Sequence, residues 1–456
     1  VTASWDLREG HVLDQLRELD DCSVQCCITS PPYYGLRDYD VPPSLWGDGW
    51  EGCLGHEDTP DQFVVHLVEV FAEVRRVLRD DGTLWLNLGD SYAAQGGRHD
   101  GRKDNQRGVG AKRAHLAGAA DSGHRRPPSG IKPKDLMGVP WMTAFALRAD
   151  GWFLRMDDIW FKPNPMPESV RDRTTRAHEY LFMLAKSGTP RYWTHRDGRG
   201  TRSAPEPDYR YVDRVTDVET AELPQNFVER LEDGRRRWRR VSLWEGHDYY
   251  YDSEAVKEPD KGLDHGRAPH MGASLEPSGG LHSPHRGLRT GDGRNGQGAN
   301  KRSVWTVATI PYPDAHFATF PPRLIEPMVL AGSAGQACED CGAPWERVVE
   351  RSPMEVREGP SREQRRAASS GAEARRATNG TMTKAATSVT TGWQPTCGHG
   401  DGAARSTVLD PFAGSGTTMQ AAVSLGRDAV GIELSAKYAE QARRRMAGVT
   451  PSLFAL

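Results

Sequence analysis

Val24-Gln25-Cys26-Cys27-Ile28-Thr29-Ser30-Pro31-Pro32-Tyr33-Tyr34 is a short apolar run that stops abruptly at two prolines. The run reads as a buried parallel strand. Consecutive prolines fix their own φ and push the preceding residue away from helix, so Ser30 is expected to be extended at the strand's carboxyl end. A rigid turn there presents a hydroxyl, unpaired backbone carbonyls and the Tyr33 ring to one point. Open α/β sheets bind ligands in the crevice at that edge. Such a site suits a planar amine whose lone pair is delocalised into its ring. Acceptors around the N–H groups return electron density to nitrogen, and an aromatic face holds the ring in register. Alone, Ser-Pro-Pro-Tyr is equally a stiff turn, and the rest of the chain decides.

Working outward, residues 7–28 read as a strand or turn, a short helix from Leu13 to Leu19, then the strand just quoted. Phe63, Leu67, Val70, Phe71, Val74 and Leu78 are spaced as one face of a helix over 61–79. Asp80-Asp81-Gly82 reads as its stop and Thr83–Leu88 as a buried strand, so the elements alternate in α/β order. From Ser91 to Pro133 no periodicity is present, and a mobile loop is expected. A helix from Lys134 to Ala149 follows, then strands around Trp152–Phe161 and Glu179–Leu184. Residues 188–302 turn rich in Arg, Gly, Pro and Tyr, with only short ordered pieces expected. Val304–Pro311 and a helix near Pro322–Leu330 return to the core pattern, and 352–392 is low-complexity.

The other half of the site is Thr407-Val408-Leu409-Asp410-Pro411-Phe412-Ala413-Gly414-Ser415-Gly416-Thr417-Thr418. It reads as a strand, a glycine loop and a helix start. The helix, Met419 to Leu425, leads through Gly426-Arg427 to a strand, Ala429–Ile432, ending at Glu433. Glycines let the backbone approach a ligand closely, and an acid about 20 residues on can take ribose hydroxyls. The loop lacks the lysine of a phosphate-gripping loop and the third glycine of a dinucleotide fingerprint. An adenosine cofactor without phosphates, S-adenosylmethionine, fits that pattern.

The chain has 456 residues, 37% of them hydrophobic, with 48 Gly and 31 Pro, so long loops dilute an α/β core of two or three domains. The net charge of -3 gives no global reason to bind nucleic acid; any DNA contact must come from local clusters. Arg235-Arg236-Arg237-Trp238-Arg239-Arg240 is the densest, and a second basic run spans Arg98 to Arg126. No apolar run approaches a membrane span and no signal-peptide pattern is present, so a cytoplasmic protein with no membrane partner is expected. Seven cysteines, an odd number, argue against a disulfide framework.

Phe412-Ala413-Gly414-Ser415-Gly416 and Ser30-Pro31-Pro32-Tyr33 together resemble the cofactor loop and catalytic motif of the DNA amino-methyltransferases, which methylate cytosine N4 or adenine N6. The catalytic motif comes first, which is the permuted order of the beta class. The resemblance implies an α/β fold: a Rossmann-like S-adenosylmethionine-dependent methyltransferase sheet, circularly permuted, acting on double-stranded DNA by base flipping. It assigns catalysis to Ser30, Pro31, Pro32 and Tyr33. It assigns the cofactor to Asp410, Phe412, Gly414, Ser415, Gly416, Thr417 and Glu433, with Phe317 and Phe320 of the His316–Ile325 segment lining the methionine pocket. Where family members often carry an acid after an N-terminal glycine, this chain has His11, whose imidazole can hydrogen-bond or stack on the adenine. Ser at the first motif position favours cytosine N4, with adenine N6 as the alternative. Transfer is expected to be direct, since no Pro-Cys dipeptide of a C5 methylase occurs. A cognate restriction endonuclease is a partner the family allows. A DNA-binding module that has lost catalysis is the reading outside enzymes.

Cys338-x-x-Cys341-Gly342 and Cys397-x-His399 form two close pairs that interrupt the family pattern. Two thiolates from such a knuckle converge on one metal and Cys-x-His completes a tetrahedron, so structural zinc is expected. The expected organisation is therefore 1–187, the catalytic half with its mobile loop 91–133; 188–302, a target-recognition insertion; 303–335, a cofactor-pocket segment; 336–403, the zinc-knuckle insertion; and 404–456, the cofactor-binding half.

Overall fold

The computed structural model describes residues 3–35, 41–93, 130–165, 167–196, 201–202, 206–258, 300–309, 321–352, 355–357, 381–384, 387–400 and 402–449. Its centre is an eight-stranded mixed sheet. In chain order the strands are β1 (Trp5–Glu9), β2 (Val24–Thr29), β3 (Leu78–Leu88), β4 (Phe153–Phe161), β5 (His178–Ala185), β6 (Val304–Thr306), β7 (Thr407–Asp410) and β8 (Asp428–Glu433). In space they run β1-β8-β7-β2-β3-β5-β4-β6. The pairs are parallel except where β5 meets β3 and β4. The last strands of the sequence thus lie between the first two, which is the permuted α/β sheet expected from the motif order.

Every residue of β2 is buried, as its unbroken apolar pattern requires of a central parallel strand. Helix α1 (Val12–Arg17), α2 (Pro60–Val77) and α3 (Val139–Ala149) pack in succession, α1 on α2 and α2 on α3. Helix α2 has Thr59 as its cap, whose hydroxyl accepts from the Gln62 amide at 3.2 Å, and Pro60 in its first turn. Its Phe63, Leu67, Val70, Phe71 and Val74 are fully buried, each contributing about 1.5–3 kcal/mol of apolar transfer. They join Cys27, Leu84, Leu86, Phe182, Leu409 and Ile432 in one apolar cluster, the face of the sheet that these alternating strand positions share. Helix α4 (Pro322–Gly332), α5 (Thr417–Ser424) and α6 (Ala436–Ala447) form a second group, with α4 also against β2 and β3. Buried Arg427 locks α4 to the turn before β8 by donating to the Ser333 carbonyl at 2.8 Å.

Three boundaries differ from the sequence reading. Strand β3 starts at Leu78, running through Asp80-Asp81-Gly82 instead of starting after it. Asp81 is satisfied there by Arg79 at 3.2 Å, by Gln25 at 3.3 Å and by the Tyr192 hydroxyl, so a buried acid does not end the strand. Helix α3 starts at Val139, not Lys134, because Gly138 is left-handed (φ 78°) and Asp90 caps the helix from outside, accepting from the Gly138 and Val139 amides at 3.1 Å. Residues 192–247 are more ordered than expected. They form two three-stranded antiparallel sheets, Tyr192–His195 with Thr201–Arg202 and Trp244–His247, and Tyr209–Asp213 with Glu219–Thr220 and Trp238–Ser242.

Contacts divide the chain into one unit of residues 1–255, 302–346 and 394–456, and another of 256–301 with 347–393. In the second, Glu355–Arg357 pairs with Thr381–Lys384. Most of the expected mobile loop (94–129), the Arg98–Arg126 run, and the His316–Phe320 part of the pocket segment with Phe317 and Phe320 lie outside the described residues. Among the described residues no helix is long and apolar enough to cross a membrane.

Candidate active site

Strands β2 and β7 are neighbours, yet the chain leaves them in opposite directions: β7 crosses through α5 to β8, and β2 through α2 to β3. Diverging connections open a crevice at the carboxyl ends of such strands. Across its floor the Thr29 hydroxyl donates to Asp410 Oδ1 at 2.7 Å, a buried bond between residues 381 positions apart. The same oxygen accepts from the Phe412 amide at 3.1 Å, so Asp410 ties the strands and starts the glycine loop. Burial pushes its carboxyl up to about 6.

On the β2 side Ser30 is half-buried, and its hydroxyl lies 3.3 Å from the Tyr33 hydroxyl and 3.4 Å from Asn87 Oδ1. The Tyr33 hydroxyl is 2.9 Å from Asn87 Oδ1 and 2.8 Å from Glu179 Oε2. Asn87 donates its amide to the Tyr180 carbonyl at 3.0 Å, which fixes Oδ1 toward the crevice side of that bond. Lys162 pairs with the other Glu179 oxygen and lies over the Trp160 ring at 4.3 Å. Gly89 lets the Tyr33 ring lie against the backbone, since a Cβ there meets the ring at 2.4 Å. Four strands' ends therefore converge on Tyr33. Asn87, Glu179 and Lys162 were not singled out from sequence; only the parity of a strand tip next to a motif strand could have pointed to Asn87.

On the β7 side the loop presents mostly backbone groups. Gly414 has φ 53°, with nothing within 4 Å of where a Cβ would stand. Glu433 accepts from the Gly414 amide at 2.8 Å and, through its other oxygen, from the Ser435 amide at 2.8 Å. Burial pushes its carboxyl up to about 7. Gly10 donates to the Glu433 carbonyl at 3.0 Å, which brings His11 to the same strand tips. The His11 ring meets Trp46 edge-on at 5.2 Å, and burial lowers its pKa. Among the described residues His11 Nε2 and Ser415 Oγ are buried without a hydrogen-bond partner. Orphaned polar atoms and an open glycine at one edge suit a ligand with an aromatic amine and hydroxyls. Thr417 accepts from Arg445 of helix α6.

The thiols beside Ser30 are poor nucleophiles. Burial pushes Cys26 up to about 12 and raises Cys27 further above its ordinary range. Away from the crevice, Cys338, Cys341, Cys397 and His399 bring their ligating atoms within 4.8 Å of one another.

The N6/N4 DNA methylase family matches residues 24–336 and 403–444, a stretch that contains both lips of the crevice. The chain belongs to that family. The methylase is 36% identical to the Type II methyltransferase M.XycI of Xanthomonas campestris pv. cyanopsidis, over 73% of this chain and 79% of the relative. It is 32% identical to the Type II methyltransferase M.SmaI of Serratia marcescens, over 96% of this chain and 89% of the relative. Among solved structures it resembles TTHA0409 of Thermus thermophilus, a putative DNA modification methylase complexed with S-adenosyl-L-methionine. That likeness has a TM-score of 0.39 and 17% identity and covers 99% and 97% of the two chains.

Proposed function

We propose that this DNA methylase transfers a methyl group from S-adenosylmethionine to the N4 amine of a cytosine flipped out of duplex DNA. The observation that carries this reading is the acceptor cluster of Ser30 Oγ and Asn87 Oδ1 around Tyr33, on the strand next to the open glycine loop. The cofactor supplies an electrophilic methyl group on a sulfonium centre. Gly414 and Ser415 would border it, Glu433 would accept from its ribose hydroxyls, and His11 Nε2 would face its adenine. Ser30 and Asn87 accept the hydrogens of the target amine and raise its nucleophilicity, while Tyr33 stacks on the base. Glu179, neutralised by Lys162, holds the Tyr33 hydroxyl so that the ring keeps one plane. The amine nitrogen attacks the methyl carbon in line, the carbon–sulfur bond breaks to leave the neutral thioether S-adenosylhomocysteine, and the methylated amine releases one proton to solvent. No thiol nucleophile is needed, consistent with thiols held protonated by burial.

DNA recognition falls to residues 206–255 in this reading. A concavity of ≈ 690 Å³ beside Trp238 is lined by Arg214, Arg230, Arg235, Arg236, Arg239 and Arg240. Within the basic run, Arg235 is held by Asp233 at 2.6 Å and Arg237 by Asp213 at 2.9 Å, which leaves Arg236, Arg239 and Arg240 better suited to phosphates, with Arg239 and Arg240 adjacent on one strand. Replacing both by Gln is expected to lower the slope of log Kd against log salt by about 0.9 for each phosphate no longer neutralised. Arg237→Gln is expected to lower thermal stability and leave that slope unchanged.

Relatives named Type II methyltransferases support a place beside a restriction endonuclease in the cytoplasm. Nucleoside mass spectrometry of DNA from cells expressing the protein tests the whole reading. N4-methylcytosine supports it, N6-methyladenine replaces the target base, and unmodified DNA from a folded protein leaves a DNA-binding module.

A further inference from the structure

The family match breaks off at residue 336 and resumes at 403, and all four members of the Cys338 cluster lie in the gap. We propose that Cys338, Cys341, Cys397 and His399 hold one zinc ion that clasps the two ends of this excursion where they leave and rejoin the methylase sheet. Two hairpin-like turns deliver the ligands. In the first, Gly342 donates to the Cys338 carbonyl at 2.8 Å and Cys338 donates to the Ala343 carbonyl at 2.9 Å. Gly342 has φ 66°, and this left-handed residue turns the chain back so that both thiols face one point. In the second, Cys397 and His399 sit one residue apart before Gly400, with Thr396 held to the Pro344 carbonyl at 2.8 Å. A tetrahedral zinc with three thiolates and one imidazole has ligand–ligand edges of about 3.5–3.8 Å, so atoms already within 4.8 Å need only a small inward shift.

A disulfide is the competing use of these thiols. It would consume two cysteines and strand the third beside an imidazole, whereas a metal engages all four. All seven cysteines are free thiols in this structure.

The clasp's place in the fold gives it a purpose. Ala337 and Cys338 pair in antiparallel register with Ala404 and Ala403, three residues before β7 begins. On the other side Arg79 of β3 donates to the Cys341 carbonyl and is itself ion-paired with Asp81 at 3.2 Å. The knuckle is thus fastened to β3 and leads into β7, the two neighbours of β2. These contacts lie at the amino edge of the strands, away from Ser30 and Gly414. The ion therefore supports the sheet and takes no part in the transfer.

Full-length protein purified without chelator should contain close to one zinc per chain, and titration with a mercurial reagent should release that zinc as the three cluster thiols react, after the accessible Cys22 and Cys53. Cobalt substitution should give the intense visible bands of a tetrahedral thiolate site. Cys397→Ser should lose the metal and lower Tm, with cofactor Kd measured well below that Tm within about threefold of the parent. His399→Cys should retain the metal. A zinc-free parent protein, or one lighter by two hydrogens with a Cys338–Cys341 or Cys341–Cys397 bridge, overturns the proposal. So does full zinc retention in Cys397→Ser. If that variant fails to fold, the mercurial titration of the parent still decides. None of these readouts depends on methyl transfer.

Discussion

Under the proposed function, the two lips of the crevice serve different ends with different chemistry. The β2 lip works through side chains: a serine hydroxyl, a carboxamide oxygen and a phenol pinned by a carboxylate. The β7 lip works through backbone, with a left-handed glycine and two amides gathered on Glu433. Reactivity has to be tuned atom by atom, which needs functional groups. A flat nucleoside has to be approached closely, which needs their absence. Substitutions should therefore separate turnover from affinity according to the lip they fall on.

The largest separation is expected at Ser30. Ser30→Ala should lower turnover by roughly 10²–10³-fold, as for loss of one aligned polar group in a transition state. Cofactor Kd, read by calorimetry, should move by less than about threefold; equal losses in both would erase the distinction between the lips. Gly414→Val should do the reverse. A branched side chain in the open space, at a φ it disfavours, is expected to raise cofactor Kd by about 10–100-fold, or about 1.4–2.7 kcal/mol. Saturating cofactor should recover much of the turnover.

The smallest effect sharpens the role of Glu433, whose carboxyl is pushed up to about 7. The ionised form is the better acceptor for a hydroxyl. Cofactor affinity should therefore rise as pH climbs toward 7, by at most about tenfold per unit, and level off above it. Glu433→Gln should bind more weakly with a flat profile, and a profile unchanged by that substitution would take Glu433 out of the contact. For the apo fold the sign is opposite. A carboxyl raised above its unfolded value costs stability once ionised, so the Glu433 contribution is lost as pH rises from about 4.5 to 7.

Much of this was legible because local and global signals agree. The β-loop-α-β unit at 407–433 carries its own periods and its own turn residues, and the structure places its elements within two residues of the reading. Helix α2 was as plain from its apolar stripe, although its end falls at Val77 and not at 79. What stayed hidden depends on partners far along the chain. Asp80 and Asp81 look like a turn until Arg191 is seen to pair with Asp80 and the Tyr192 hydroxyl to donate to Asp81. Asn87, Glu179 and Lys162 carry no motif; Asn87 and Glu179 meet Tyr33, and Lys162 meets Glu179, only because β3, β5 and β4 are adjacent in the sheet. The pairing of Arg237 within the basic run likewise depends on Asp213 and Glu229 lying near it in the fold.

The bond from Thr29 to Asp410 also dictates when the molecule can become whole during its synthesis. At about 5–20 residues per second the ribosome needs roughly 20–80 s to make the residues between them. Throughout that wait, the oily strand Val24–Thr29 has a companion on one side only, and its other rim offers bare amides and carbonyls to any passing chain. Nascent methylase should accordingly lean on chaperones, and premature termination upstream of Thr407 should yield inclusion bodies in place of a half-working enzyme.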